Sequence, residues 1–265
     1  METSRLTGER IKQYLAQGKR FDERKPEEFR KLEIEIGVSK NAEGSARVKL
    51  GNTDVIVGVK MDVTEPYPDS LEKGILMVTA ELSPISSTRF ENGPPKFPAI
   101  ELARIIDRGI RESKVIETEK LCIKKGEKVW NIFIDIYPIN ADGNLIDAAG
   151  IGAMVALKNA KMPKYDEKEE KVIFGENTTK NLPLAKDLVI PITFYKIGEE
   201  FIVDPTQEEE DVSEARITIG SANGIISSVQ KGGQEAIKEE EMIKVLDTVE
   251  KVWKDMFKNI EKFLK

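Results

Sequence analysis

Two segments and one helix pattern of this 265-residue chain hold residue types that could do chemistry. The first segment is Asp142-Gly143-Asn144-Leu145-Ile146-Asp147-Ala148-Ala149, between an apolar strand pattern and a helix pattern. An Asp-Gly turn that opens a helix presents free amides and the positive end of the dipole, a setting that attracts phosphate. Yet Asn-Leu-Ile-Asp offers no arginine and no hydroxyl to grip a dianion, and Asp147 is expected to repel one. The second segment runs from Asp204 to Ile219 and contains Glu208-Glu209-Glu210-Asp211. Its plain reading is a solvated, self-repelling loop. The sharper reading of that acidic run is a magnesium or general-acid site, because carboxylates are the natural ligands of hard cations. The helix pattern carries Arg104, Arg108 and Arg111, spaced four and three apart and so on one stripe. Its plain reading is a salt-bridged surface with Glu101 and Asp107 as local partners.

Composition removes much else. Histidine is absent, which excludes Ser-His-Asp and Cys-His triads, histidine proton shuttles and histidine-containing zinc sites. The single Cys122 excludes an internal disulfide and fits a reducing compartment, so a cytoplasmic protein is expected. Cys122 itself reads as a core residue, with no histidine to activate it. A formal charge of −6 argues against an autonomous nucleic-acid binder, although local basic patches can serve a channel shared with other subunits. No apolar run approaches the length that spans a bilayer, and the start lacks the apolar stretch of a secretory signal.

The elements that must position these residues follow from periodicity. Residues 5–17 read as a short amphipathic helix with Leu6, Ile11 and Leu15 on one side. Strand patterns cover 32–36, 46–50 and 55–59, then 75–82 after a proline-marked loop at 63–74. A helix is expected over 98–114 on the repeat Ile100, Ala103, Ile106 and Ile110. A strand follows at 129–139, and a small-residue helix at 143–159 is suited to close packing on a sheet. Residues 160–185 read as a charged, irregular connection holding the domain boundary. Beyond it come a hairpin of 188–196 with 200–203 and another of 215–220 with 224–231, around Asn223-Gly224. The tail, about 234–265, reads as one amphipathic helix packing on its own sheet, with Met242, Leu246, Val249, Trp253, Met256, Ile260 and Leu264 on its apolar side.

The spaced motifs together resemble the RNase PH family, over about residues 18–260. In that family the first segment reads D-G-G-[TS]-R-[TS] and grips phosphate; Ile146 falls where its arginine stands. The second ends there in an aspartate within A-D-M or V-D-M, working with an upstream acid; Glu210 aligns with that acid and Arg216 falls where the aspartate stands. Arg20-Phe21-Asp22-Glu23-Arg24, with Phe29-Arg30 and Leu32, resembles the family's R-x-D-G-R, with Glu23 in place of glycine. Within the family, Gly93-Pro94-Pro95 followed by Ala99 to Arg104 and Asp107-Arg108 is similar to the non-catalytic ring subunit of archaeal exosomes. The resemblance implies an α/β (α+β) RNase PH fold of two β-α-β-α halves, related to the second-domain fold of a small-subunit ribosomal protein. The expected divisions are 1–29, an N-terminal helix and lead-in segment; 30–165, the first half; and 166–265, the second. It implies a hexameric ring of three heterodimers with a catalytic RNase PH-like subunit, capped by a trimer of RNA-binding subunits, degrading single-stranded RNA from the 3′ end by phosphorolysis. In that ring the arginines matching Arg104 and Arg108 hold the RNA backbone, with Arg111 as a weaker candidate; the planar guanidinium fork suits phosphate oxygens. No catalytic residue, metal, cofactor or membrane contact is assigned to this chain. Two other readings stay open: an independent phosphorolytic exoribonuclease using Asp204, Glu210 or Asp211, and a structural ring member without RNA contact.

Overall fold

The apolar alternation of residues 32–64 becomes three antiparallel strands, β1 (Leu32–Ile36), β2 (Gly44–Leu50) and β3 (Thr53–Thr64), in a computed structural model that describes residues 3–264. β3 pairs antiparallel with the long β6 (Lys128–Asn140), and β4 (Ile75–Ala80) closes the sheet parallel to β6. The strand order is β1-β2-β3-β6-β4, with the short β5 (Cys122–Lys124) also on β6. A second antiparallel sheet has the order β10-β9-β11-β12, from β9 (Ile190–Ile197), β10 (Glu200–Val203), β11 (Ala215–Ala222) and β12 (Ile225–Gly233). The expected α/β architecture of two halves is present.

Helix α1 (Arg5–Leu15) buries Ile11 and Leu15 against Tyr195, Ile197 and Ile202 of the second sheet, whereas Leu6 is exposed. Helix α2 (Phe97–Glu112) lies on β4 and faces β12. Its buried side is Ala99, Leu102, Ala103, Ile105, Ile106 and Ile110, and Ile100, assigned to that side from its spacing, points outward. The shift is one of phase: the buried arc centres on 102, 106 and 110.

Helix α3 (Leu145–Asn159) is the centre of the molecule. Every residue from Ile146 to Leu157 is buried, because one side meets β2 and β3 and the other meets β9. Small residues permit this approach. A Cβ at Gly152 would stand 2.7 Å from Val57 Cγ2, and one at Gly150 would stand 2.1 Å from Pro191 Cγ. A helix so enclosed shows little apolar periodicity.

Residues 160–185 correct the sequence reading. They form an antiparallel hairpin of β7 (Lys161–Asp166) and β8 (Lys171–Asn181), and the expected division at 165–166 falls inside it. The hairpin is largely exposed, touching the core mainly through Val172, Met162 and Tyr165, with surface pairs such as Lys164–Glu176 elsewhere, so it lacks the apolar alternation by which strands are recognised. The C-terminal helix α5 (Glu239–Ile260) begins later than expected and packs on β9, burying Val245, Val249, Val252, Trp253, Met256 and Ile260. Among the described residues no helix is long and apolar enough to cross a membrane.

Candidate functional site

The Asp-Gly turn is held in place from three directions. Gly143 has φ +80°, and a Cβ there would lie 2.4 Å from the carbonyl oxygen of Pro205, so glycine alone lets this loop press on the 204–207 segment. Thr53 Oγ1 donates to the Gly143 carbonyl at 2.6 Å. Arg30 donates to the Asp142 and Gly143 carbonyls at 2.7 and 3.2 Å and clasps the Asp204 carboxylate through Nε and Nη2 at 2.9 and 2.7 Å. Asn144, in the left-handed region at φ +53°, then starts α3.

The acidic segment is neither a free loop nor a pooled set of ligands. It forms a short helix, α4 (Gln207–Asp211), with Thr206 and Glu209 capping each other's backbone. Each inward acid has its own partner. Glu209 is buried and takes a bidentate grip from the fully buried Arg20 guanidinium, at 2.9 and 2.5 Å. Asp211 accepts from Arg89 Nη2 at 2.7 Å and from Thr3; burial would raise its pKa, but these donors hold it below the usual carboxylate range. Asp204 is fully buried beneath Arg24, Arg30 and Asn144. Glu210, half-buried, is the remaining inward acid. Its Oε2 accepts from the Asn144 backbone N–H at 2.8 Å, and burial pushes its pKa up. A cavity of about 240 Å³ opens here, lined among others by Arg89, Glu101, Gly143, Ile146, Glu210 and Arg216.

One sequence expectation changes here, and two replaced positions gain a structural account. Asp147 does not face this cavity to repel an anion. It is fully buried against β9, accepting from Thr193 Oγ1 at 2.7 Å, Thr193 N at 3.2 Å and Asn144 Nδ2 at 3.1 Å. Burial pushes its pKa up to about 7 despite those donors. Glu23, standing where the R-x-D-G-R motif has glycine, has a left-handed backbone at φ +65°, a region that glycine adopts without the strain a side chain brings. And Ile146 is a core residue whose edge lines the cavity.

Chemically the cavity is poor. Where a second acid would complete a proton-transfer or metal-binding pair with Glu210, it holds Arg216, and a cation can neither coordinate a metal ion nor accept a proton. Arg216 Nη2 lies 2.6 Å from Glu101 Oε1 of α2. This pair was not expected, and it alters the arginine stripe. Asp107 does pair with Arg111, at 2.7 Å, and Arg108 meets Glu112 at 4.0 Å, but Glu101 is turned into the cavity. Arg104 is exposed, with no ion pair or hydrogen bond to a described residue. Arg108 and Arg111 are also exposed. Sequence reasoning missed Arg89 and the roles of Arg20 and Arg30. The R-x-D-G-R resemblance marked Arg20, Arg24 and Arg30, but the carboxylates that Arg20 and Arg30 clasp, Glu209 and Asp204, lie more than a hundred residues away.

Comparison with known proteins agrees with this geometry. Domain 1 of the 3′ exoribonuclease (RNase PH) family matches residues 28–163, and domain 2 matches residues 187–251. The chain belongs to the RNase PH family. It is 51% identical over 237 residues to exosome complex component Rrp42 of Thermococcus onnurineus, covering 88% of this chain and 86% of that protein. With the Rrp42 of Methanothermobacter thermautotrophicus it shares 43% over 249 residues, covering 93% and 92%. Among solved structures, an Archaeoglobus fulgidus exosome with RNA bound to the active site contains a chain 41% identical, with a TM-score of 0.82 over 91% of this chain and 92% of that one. An archaeal exosome core has a chain 38% identical, with a TM-score of 0.84 over 98% and 97%.

Proposed function

We propose that this protein is a non-catalytic ring subunit of an archaeal-type exosome, which completes the ring around a catalytic RNase PH-like partner and positions RNA for 3′-to-5′ phosphorolysis. One observation carries the reading: the cavity at the family's catalytic position has Arg216 facing Glu210 where two acids are needed, while Arg104 stands unpaired on the surface of α2. The relatives named Rrp42 and the exosome core chains support the ring role along nearly the whole length. In this reading three heterodimers form a hexamer, a trimer of RNA-binding subunits caps it, and Arg104 and Arg108 hold the backbone of single-stranded RNA. Arg111 contributes less, since Asp107 neutralises it. The chain brings no cofactor or metal of its own and works in the cytoplasm.

The test is charge reversal in the assembled ring. Arg104→Glu with Arg108→Glu replaces two attractive contacts by repulsive ones, and each lost charge-assisted hydrogen bond is worth about 1.5–3 kcal/mol. Sedimentation should still show a hexamer, with RNA affinity and the partner's phosphorolysis sharply reduced. Unchanged affinity and unchanged salt dependence would leave a structural ring member without RNA contact. The purified chain alone, given 3′-labelled RNA, phosphate and magnesium, should release no nucleoside diphosphate. Release that disappears in Asp204→Ala or Glu210→Ala would establish an independent exoribonuclease instead.

A further inference from the structure

We infer that Arg216 is a positioning residue for RNA contact: by holding Glu101 in the cavity, it keeps Arg104 unpaired on the surface of α2. The inference rests on the reading of Arg104 as an RNA contact and adds the residue that makes that contact available.

Glu101 lies three residues before Arg104, a spacing at which an acid and a base on a helix surface meet. Elsewhere on α2 such neighbours do meet. Asp107 pairs with Arg111 and Glu112 reaches Arg108, each four residues apart. Glu101 is drawn off by Arg216 at 2.6 Å, and both side chains are largely buried, at 30% and 18% exposure. The guanidinium sits in a space left for it by the sheet. Arg216 stands opposite Gly232 in the β11–β12 register, and a Cβ at 232 would lie 2.7 Å from Arg216 Cζ. The cation also faces the half-buried Glu210, whose ionised form it favours. Arg216 therefore offsets the charge of two acids behind the RNA-facing helix, adding for Glu210 to the Asn144 N–H it already accepts from. An acid at 216 would do the reverse and push Glu101 outward toward Arg104. The residue that spoils the cavity for chemistry is the one that clears the arginine for binding.

The experiment uses the ring reconstituted with its catalytic partner and a fluorescent single-stranded RNA, titrated over a salt series. The variants are Arg216→Met, Glu101→Gln, the two together, and Arg104→Met as reference; Arg216→Gln replaces the methionine variant if that ring does not assemble. Sedimentation and thermal denaturation check each ring. Arg216→Met should weaken binding about fivefold at 0.1 M salt and flatten the log–log salt slope by about 0.7, the value of one single-strand phosphate contact. Adding Glu101→Gln should restore affinity to within about twofold of native, as a coupled pair requires. Arg104→Met should show the same loss as Arg216→Met. Native affinity in Arg216→Met beside a weakened Arg104→Met overturns this inference alone. A loss that Glu101→Gln does not rescue also overturns it, since Arg216 would then act by touching RNA or by holding the fold. Native affinity in Arg104→Met overturns the RNA reading of the stripe and this inference with it.

Discussion

Asp147 should make the fold less stable as pH rises, the reverse of a salt-bridged carboxylate. Its carboxyl is fully buried among Asn144, Thr193 and Thr218, and burial raises its pKa from 3.8 to about 7. In the unfolded chain the group ionises near its ordinary value; in the fold it stays protonated until about pH 7. Between those values folding takes up a proton, so stability falls as pH rises from about 4 to about 7 and levels off above. At 1.36 kcal/mol per pH unit, the full effect is about 4 kcal/mol. Asp147→Asn removes the charge and keeps the shape. The amide oxygen can accept from Thr193 N and Asn144 Nδ2, and its NH2 can donate to Thr193 Oγ1, which can donate on to Thr218 Oγ1 at 3.0 Å. The variant should match the native protein near pH 4.5 and exceed it at pH 8 by about 2–4 kcal/mol, allowing for imperfect replacement of the hydrogen bonds. The assay is urea denaturation of both proteins at half-unit intervals from pH 4.5 to 8.5, taking the difference so that the other titrating groups cancel. A difference that does not change with pH would mean that Asp147 is ionised throughout in the fold, and the account of its burial would fail.

Further outcomes are open to measurement. Arg20→Ala leaves the buried Glu209 without its bidentate partner and should cost about 3–5 kcal/mol in urea denaturation, with Glu209→Ala in the same chain recovering part of the loss. Gly143→Ala should cost more than about 1 kcal/mol, since it adds a Cβ against the Pro205 carbonyl at a positive φ; Gly126→Ala, also at a positive φ but with open space around it, should cost less, and equal losses in thermal denaturation would refute the steric argument.

The sequence disclosed the fold where burial is one-sided. β2, β3 and α2 carry their periodicity openly, and the Asn223-Gly224 turn marks the β11–β12 hairpin. It concealed the β7–β8 hairpin, whose strands face solvent and follow no apolar pattern. At the site, the replacements Ile146 and Arg216 were readable from local motifs, and the stripe from helical spacing. What Glu208–Asp211 does was not readable. Arg20 and Glu209 are 189 positions apart, and Arg89 and Asp211 are 122 apart, so nothing local distinguishes a run of separately paired acids from a solvated one. The same distance hid the Arg216–Glu101 pair, which made Glu101 look like a surface partner of Arg104.

The enclosure of α3 has a consequence for how the chain is made. One face of this helix is covered by β2 and β3, which precede it; the other is covered by β9, which is translated only after some thirty further residues. A ribosome adding about 5–20 residues per second therefore holds the growing chain for seconds with Gly150, Met154 and their neighbours bare on the downstream side. The intervening segment is the hydrophilic β7–β8 hairpin, which can fold on itself without competing for that surface. Nascent chains stalled before residue 190 should thus be substrates for chaperones that bind apolar surface, and chains stalled well beyond residue 233, with the second sheet outside the tunnel, should not.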